Sequence, residues 1–150
     1  MRDVRSSRFT LEPTLDFMSL LWSIEHGLQK RSKRMKAHTG LTGPQRLVLR
    51  IVGVFPGISA GELAAIVRLH PSTLTGILQR LAARRLIRRE RDPSDSRRAL
   101  LWVTPPARRH TQRSAGTVEN VVRRALAASG AANLRAARIV LAEVARVLND

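Results

Sequence analysis

The residues between positions 72 and 80 have the types and spacing that suit contact with a nucleic-acid surface. Leu74, Ile77, Leu78 and Leu81 recur at helical spacing and mark the side of a helix that packs inward. The residues that this pattern turns outward are Ser72, Thr73, Thr75, Gly76, Gln79 and Arg80. Short hydroxyl side chains beside one amide and one guanidinium suit hydrogen bonding to base edges and phosphates in a major groove.

Helix signals on either side of this segment predict the elements that position it. Ser59 and Glu62 have the spacing of a capping box, in which each side chain satisfies a backbone amide of the first helical turn. Pro71 suits the first position of the next helix, because its missing amide has no helical partner there. The spacing therefore predicts a helix from Ser59, a short turn, and a second helix that begins at Pro71.

A basic, turn-rich segment follows the second helix and predicts a β-hairpin. Leu86 and Ile87 close the helix pair, and the run RRERDPSDSRR contains the turn formers Asp-Pro and Asp-Ser. The apolar run from Ala99 to Val103 is typical of a returning strand. A helix-turn-helix followed by such a hairpin is a winged helix. We expect Arg97 and Arg98 at its tip to approach a narrow minor groove, where negative potential concentrates.

The ordered motifs over residues 41–104 resemble the winged helix of the MarR (multiple antibiotic resistance regulator) family of bacterial transcription factors. The matching residues are Leu41-Thr42, Gln45, Leu49, Glu62-Leu63-Ala64, Pro71-Ser72-Thr73, Thr75, Leu81, Asp92-Pro93, Asp95, Arg97 and Val103-Thr104. The resemblance implies a homodimer that binds double-stranded DNA through this segment. It also implies that Asp95 pairs with an arginine and thereby supports the wing.

The sequence departs from the family pattern at positions around the second helix. His70 stands where a serine N-cap is usual, and histidine is a weaker cap. Gly76 stands where the family often carries an arginine, so one expected DNA contact is missing. Arg85 replaces the glycine that usually follows the helix, where a left-handed residue is easiest to accommodate. We therefore expect this helix to run on or to end differently.

The flanking segments, about 12–38 and 105–150, are predicted to form dimerisation helices around the winged helix of one MarR-like domain. One long helix is expected from Pro105 to Ala128, capped by Thr104. A last helix then carries Leu134, Leu141 and Leu148 at seven-residue intervals. Such a seam favours a partner helix. Packing against the first helix of the same chain is the alternative from pattern alone, and the resemblance favours the homodimer.

Composition restricts the function further. The formal net charge of +16 indicates attraction to a polyanion, and residues 1 to about 12 are interpreted as a basic arm. The absence of cysteine excludes disulfides and thiol redox switches. The sequence contains no apolar run of the roughly 20 residues that span a bilayer and no apolar signal core, so we expect a cytoplasmic protein without membrane contact.

The first helix contains a candidate ligand pocket, since Trp22 and His26 are four residues apart and share a face. Family members place part of a pocket for small aromatic or phenolic effectors on this helix. The simpler interpretation of Trp22 is a core residue. Glu25, His26 and His38 lack the spacing of a metal site, and no catalytic set is recognisable. We therefore expect neither a cofactor nor a metal, and no enzymatic activity.

Taken together, the sequence predicts a mainly α protein with a winged helix-turn-helix, a two-stranded wing and dimerisation helices at both ends. The predicted function is sequence-specific transcriptional regulation, as a ligand-responsive repressor on a pseudo-palindromic operator. The competing interpretation is an architectural or non-specific nucleic-acid-binding protein, for which the high charge would suffice.

Overall fold

A computed structural model describes residues 10–112 and 115–150 of the chain, so most of the predicted N-terminal arm lies outside the described residues. The helices are α1 (Pro13–Thr39), α2 (Gly43–Val54), α3 (Ala60–Val67), α4 (Pro71–Ala83), α5 (Arg108–Thr111), α6 (Val118–Ala127) and α7 (Ala131–Asn149). The strands are β1 (Ile58–Ser59), β2 (Ile87–Arg91) and β3 (Ala99–Val103), and a short 3-10 turn, Pro105–Ala107, precedes α5. The predicted mainly helical fold is confirmed.

The strands form one antiparallel sheet in the order β1-β3-β2. The β2–β3 hairpin is the predicted wing, with Arg88 opposite Trp102. Strand β1 adds a third strand through the pairing of Ile58 with Leu101. A strand of two residues gives no alternating pattern, which explains why the sequence did not reveal it.

Local capping determines where α3 and α4 begin. The Ser59 hydroxyl accepts a hydrogen bond from the Glu62 amide at 3.3 Å, and the Glu62 carboxylate accepts one from the Ser59 amide at 2.9 Å, so the predicted capping box is confirmed. Pro71 occupies the first turn of α4 as predicted. His70 does cap α4, because its Nδ1 accepts from the Ser72 amide at 3.3 Å.

Helix α4 ends in the way that the family pattern implies, and the expectation of a different end is wrong. Arg85 adopts a left-handed backbone with φ of 55°. The Leu86 amide donates to the Leu81 carbonyl at 2.9 Å, and the Arg85 amide donates to the Ala82 carbonyl at 2.8 Å. Both bonds are those of a Schellman C-cap. The conformation costs a non-glycine residue about 1–2 kcal/mol, which the cap and the strand that follows have to offset.

The hydrophobic core lies in the winged helix, and the flanking helices contribute little to it. The core cluster runs from Leu41 to Ala107 in sequence, and Met35 is the buried residue of α1. Helices α6 and α7 contain no buried residue. Within the described ranges, no helix combines the length and apolarity needed to cross a lipid bilayer.

The leucine seam of α7 is exposed, with 37% of Leu134, 42% of Leu141 and 74% of Leu148 accessible. Packing inside the same chain, the alternative considered for this seam, does not account for these exposures. Helix α1 likewise exposes apolar side chains, among them Leu20 and Ile24. Apolar faces are therefore left uncovered at both ends of the winged helix.

The prediction of a single long helix from Pro105 to Ala128 is wrong, because this part of the chain forms two separate helices, α5 and α6. Gln112 is extended, with φ of −70° and ψ of 152°, and Gly116 has φ of 80°. Thr104 does not cap a helix by its side chain, since its hydroxyl donates to the Arg85 carbonyl at 2.7 Å. The predicted break before the last helix is confirmed at Gly130, where φ is 74°.

Candidate nucleic-acid interface

The outward face of α4 carries the side chains that the sequence singled out. Leu74, Ile77, Leu78 and Leu81 are buried in the core, which leaves the opposite side of the helix to solvent. The residues exposed there are Ser72, Thr73, Thr75, Gln79 and Arg80. The structure thus brings the predicted base-reading residues together on one surface of a rigid helix.

Some side chains on this face already form hydrogen bonds within the chain, and others do not. The Thr75 hydroxyl donates to the Pro71 carbonyl at 2.9 Å, and the Ser72 hydroxyl lies 2.7 Å from His70 Nδ1. Among the described residues, none forms a hydrogen bond or ion pair with the side chain of Gln79 or Arg80. These two longer side chains therefore have their full hydrogen-bonding capacity available for a ligand.

Gly76 leaves a gap in the middle of the face. A methyl group placed there would meet nothing within 4 Å, so core packing does not require the glycine. Glycine inside a helix costs about 1 kcal/mol relative to alanine. The gap lets another surface approach the α4 backbone more closely than the arginine common in the family would.

Short-range hydrogen bonds shape the wing tip. The Asp92 carboxylate accepts from the Ser94 amide at 2.9 Å and from its hydroxyl at 2.6 Å. These bonds, with the nearby charge of Arg98, hold the pKa of Asp92 below its usual value against the opposing effect of burial. The Asp95 carboxylate accepts from the Arg97 amide at 2.9 Å. Both carboxylates therefore hold the turn that presents Arg97.

The wing arginines have different surroundings. The Arg98 guanidinium lies 3.2 Å from Glu62 of α3 and 3.9 Å from Asp92. The resemblance implied an arginine partner for Asp95, whereas in the described structure Asp95 bonds the Arg97 backbone and Arg98 pairs with the other two carboxylates. Arg97 is exposed and, within the described ranges, has no ion pair. Arg98 thus connects the wing to α3, while Arg97 projects into solvent.

Trp102 supports the base of the wing. The Arg88 guanidinium lies 5.2 Å from the centre of its ring, within the range of a cation–π contact. A methyl group at Gly57 would approach the ring to 3.2 Å, so this glycine leaves room for the indole beside the turn before β1. Arg88 also pairs with Glu90 on the same strand. Arg88 is accordingly a supporting residue of the hairpin.

The two residues of the candidate effector pocket, Trp22 and His26, lie exposed on α1. Trp22 is 59% exposed and His26 is also exposed, so the interpretation of Trp22 as a core residue is wrong for the single chain. A cleft of about 250 Å³ lies instead between the second half of α1 and residues 115–117. Its walls include Arg31, Arg34 and His38. Within the described ranges, no group of His, Asp or Glu side chains is arranged to hold a metal ion.

A buried polar joint, which the sequence reasoning missed, connects the winged helix to α6. Arg46 of α2 is 2% exposed, and its Nε donates to Glu119 at 2.5 Å. Its Nη1 donates to the His110 carbonyl, and its Nη2 donates to the Gln112 carbonyl at 2.6 Å. The signal available in the sequence was an arginine on the apolar side of a capped helix, three residues before Leu49.

Two titratable groups at the joint have shifted pKa values. Burial raises the pKa of Glu119, but hydrogen bonds from Arg46, its own backbone amide and Arg50 lower it more, so the net pKa lies below the usual value. Burial lowers the pKa of His110, and the positive charges of Arg109, Arg84 and Arg46 lower it further. Near neutral pH the joint therefore contains a charged Glu119 and a neutral His110.

Acidification is expected to weaken the folded state through His110. Because its folded pKa lies below the ordinary value of about 6.5, the stabilisation is present above that value and is lost as the pH falls below it. The free energy of unfolding measured with urea should therefore fall as the pH is lowered from about 7.5 to about 5. His110→Gln, neutral throughout, should remove this part of the slope, and an unchanged slope in the variant would contradict the assignment.

Comparison with known proteins agrees with this geometry. The sequence matches the model of the MarR family over residues 39–98. It is 33% identical over 88 residues to the HTH-type transcriptional regulator TtmR of Methylorubrum extorquens, a match that covers 59% of this chain and 45% of TtmR. It is 41% identical over 64 residues to the transcriptional regulator HosA of Escherichia coli O111:H-, covering 43% of this chain and 47% of HosA. The aligned part thus spans about half the length of these relatives.

Solved structures extend the comparison to the flanking helices. A crystal structure of MarR is 31% identical and covers 62% of this chain and 68% of its own, with a TM-score of 0.57. The S. aureus MepR–DNA complex is 16% identical and covers 88% and 97% of the two chains, with a TM-score of 0.72. Helix α4, the basic hairpin and these similarities define a winged-helix protein. The chain belongs to the MarR family of transcriptional regulators.

Proposed function

We propose that the protein is a sequence-specific DNA-binding transcriptional regulator that acts as a homodimer on a pseudo-palindromic operator. The observation that carries this proposal is the exposed polar face of α4, which lies on a rigid core beside a basic wing. Helices of this kind read base edges in the major groove, while basic wings contact the adjacent backbone or minor groove. Two relatives support the same function, because TtmR and HosA are transcriptional regulators. The structural neighbour MepR, which was solved in complex with DNA, supports it as well.

The type of side chain on α4 favours a specific reader over an architectural protein. A protein that binds only through charge needs a basic surface, because phosphate contacts are insensitive to sequence. The α4 face instead combines hydroxyl groups with the amide of Gln79, which can pair with an adenine edge in a bidentate arrangement. Arg80 and Arg97 then supply the contacts that position the protein on the duplex.

Homodimerisation is supported by the uncovered apolar faces of α1, α6 and α7. Their exposed residues include Leu20, Ile24, Val122, Leu126 and Leu141. Exposed apolar surface of this extent marks an interaction site. A two-fold dimer would place two α4 helices on successive major grooves, which accounts for a pseudo-palindromic operator.

We further propose repression by occupancy of a promoter, relieved by a small aromatic or phenolic effector. PcaV of Streptomyces coelicolor, 24% identical with a TM-score of 0.72, was solved with its natural ligand. Trp22 and His26 are exposed in one chain, so a pocket that uses them would be completed by the partner subunit. An effector releases DNA only when it binds the DNA-incompetent arrangement more tightly, so operator and effector weaken each other reciprocally.

The test is competition between the intergenic DNA upstream of the gene and random duplex of equal length. We expect preference for the upstream DNA, and Gln79→Ala should change the preferred base at particular positions, at a cost of roughly 1–3 kcal/mol. Gln29→Ala, which removes an exposed amide from α1, is the matched control and should leave base preference unchanged. Equal affinity of the unaltered protein for both duplexes would favour the architectural function.

A further inference from the structure

We propose that Arg46 is a positioning residue that sets the angle between the DNA-reading winged helix and the dimerisation helices. This inference rests on the proposed function, because that angle matters only if two reading helices have to meet two half-sites. Arg46 itself is buried and is therefore not placed to contact DNA. Its role would be exerted through α6, which it holds by the carboxylate of Glu119.

Ordinary packing leaves the orientation of α6 weakly determined within the chain. The N-cap residue Thr117 is buried, whereas α6 itself contains no buried residue, so packing holds the start of the helix better than its direction. The chain does not continue from α5 into α6 as one helix, since Gln112 is extended and Gly116 has a positive φ. No continuous helix therefore transmits a fixed direction from α5 to α6, and side-chain contacts at the start of α6 contribute to that direction.

The hydrogen bonds of Arg46 supply that direction. Its guanidinium donates to the carbonyl of His110 at the end of α5, to the carbonyl of Gln112 in the connecting segment, and to Glu119 in the first turn of α6. Each bond weakens steeply when donor and acceptor lose alignment. Because one planar group makes all of them, α2, the end of α5 and the start of α6 are held in one relative arrangement.

Arginine is the side chain suited to this joint. A guanidinium presents donors in a rigid planar fork, whereas a lysine ammonium is a point charge on a flexible stem. Arg50, which is partly exposed, lies 3.2 Å from the same Glu119 oxygen and adds a second positive charge. Substitution of Glu119 by glutamine would keep the shape of the side chain but remove the charge that faces Arg46.

A DNA-free measurement tests the joint directly. The sequence contains no cysteine, so Thr73→Cys on α4 and Arg124→Cys on α6 provide unique, exposed positions for spin labels. Doubly labelled chains diluted into excess unlabelled protein report the distance within one chain by pulsed electron paramagnetic resonance. We expect a narrow distribution that broadens in Glu119→Gln and in Arg46→Lys. Arg135→Gln, an exposed arginine on α7, is the control and should leave it unchanged.

Operator spacing provides the functional readout. The unaltered protein should distinguish the natural half-site spacing from one lengthened by a single base pair, and Glu119→Gln should reduce that discrimination by about tenfold. The affinity of Glu119→Gln for an isolated half-site should stay within about twofold of that of the unaltered protein, since the winged helix of each subunit is intact. A variant that was merely less stable would lose affinity for every DNA alike and keep its spacing preference.

The outcomes separate the two proposals. If the unaltered protein shows no preference for upstream DNA, the proposed function fails, and the distance measurement still decides whether Arg46 holds α6. Should Arg46→Lys fail to fold, Glu119→Gln carries the test alone. Unchanged distance distributions together with unchanged spacing preference in folded Glu119→Gln would overturn the positioning role.

Discussion

Leu141→Glu is expected to lower operator affinity on the order of a thousandfold, because it should convert the dimer to monomers. A monomer has one winged helix and loses the gain in affinity from binding two half-sites at once. Leu141 lies in the middle of the α7 seam and is 42% exposed in one chain. A carboxylate there would be buried without a partner in the proposed dimer, at a cost of several kcal/mol. Within the single chain the substitution leaves the core of the winged helix intact, since α7 has no buried residue.

Sedimentation and operator titration on the same samples measure this effect. The variant should sediment as a monomer at concentrations where the unaltered protein is a dimer, while its helical circular dichroism is largely kept. Ala132→Glu adds the same charge on the arginine side of α7, three residues before Arg135, and is the matched control. A Leu141→Glu protein that still sediments as a stable dimer would show that the seam has been misinterpreted.

Operator affinity should also fall by about a thousandfold when salt is raised from about 50 to about 200 mM. The formal charge of +16 per chain, with the exposed arginines on α4 and the wing, implies several phosphate contacts per subunit. Each neutralised phosphate releases condensed counterions and contributes about 0.9 to the slope of log affinity against log salt. A slope near zero would exclude binding through these arginines.

Neighbouring wing arginines allow a matched comparison of that slope. Arg97→Ala should reduce it by about one unit for each subunit, because Arg97 is exposed and presented by the Asp95 turn. Arg98 pairs with Glu62 and Asp92, so Arg98→Ala should change the slope less and act mainly through wing orientation. Equal reductions from both substitutions would contradict the division of roles between them.

The parts of the fold that follow local rules could be predicted from the sequence. Capping at Ser59, the position of Pro71 and the apolar spacing of Leu74 through Leu81 each depend on residues within one or two helical turns. The outward face of α4 follows from the same periodicity. The pairing of β2 with β3 could also be predicted from the sequence, because turn-forming residues separate two segments with the composition of strands.

What could not be predicted depends on contacts distant in sequence. The break between α5 and α6 involves Arg46, which lies more than sixty residues before the carbonyls that it binds. The pairing of Arg98 with Glu62 joins the wing to the first helix of the helix-turn-helix, and the whole of α4 lies between them in sequence. The left-handed backbone of Arg85 shows a related effect, since the Schellman bonds and the Thr104 hydroxyl outweigh the intrinsic preference of arginine.

The hydrophobic core lies between Leu41 and Ala107, so the helices at the two ends of the chain have little core of their own. Their stability should therefore depend on the concentration of the protein. In the proposed dimer, α1, α6 and α7 gain most of their apolar contacts from the second chain, so the melting temperature should rise with protein concentration. The abundance of the protein would then set both how much DNA is occupied and how much of the chain is folded. A small change in synthesis would consequently be amplified at the operator, because each doubling of the chain concentration also raises the fraction of chains able to bind.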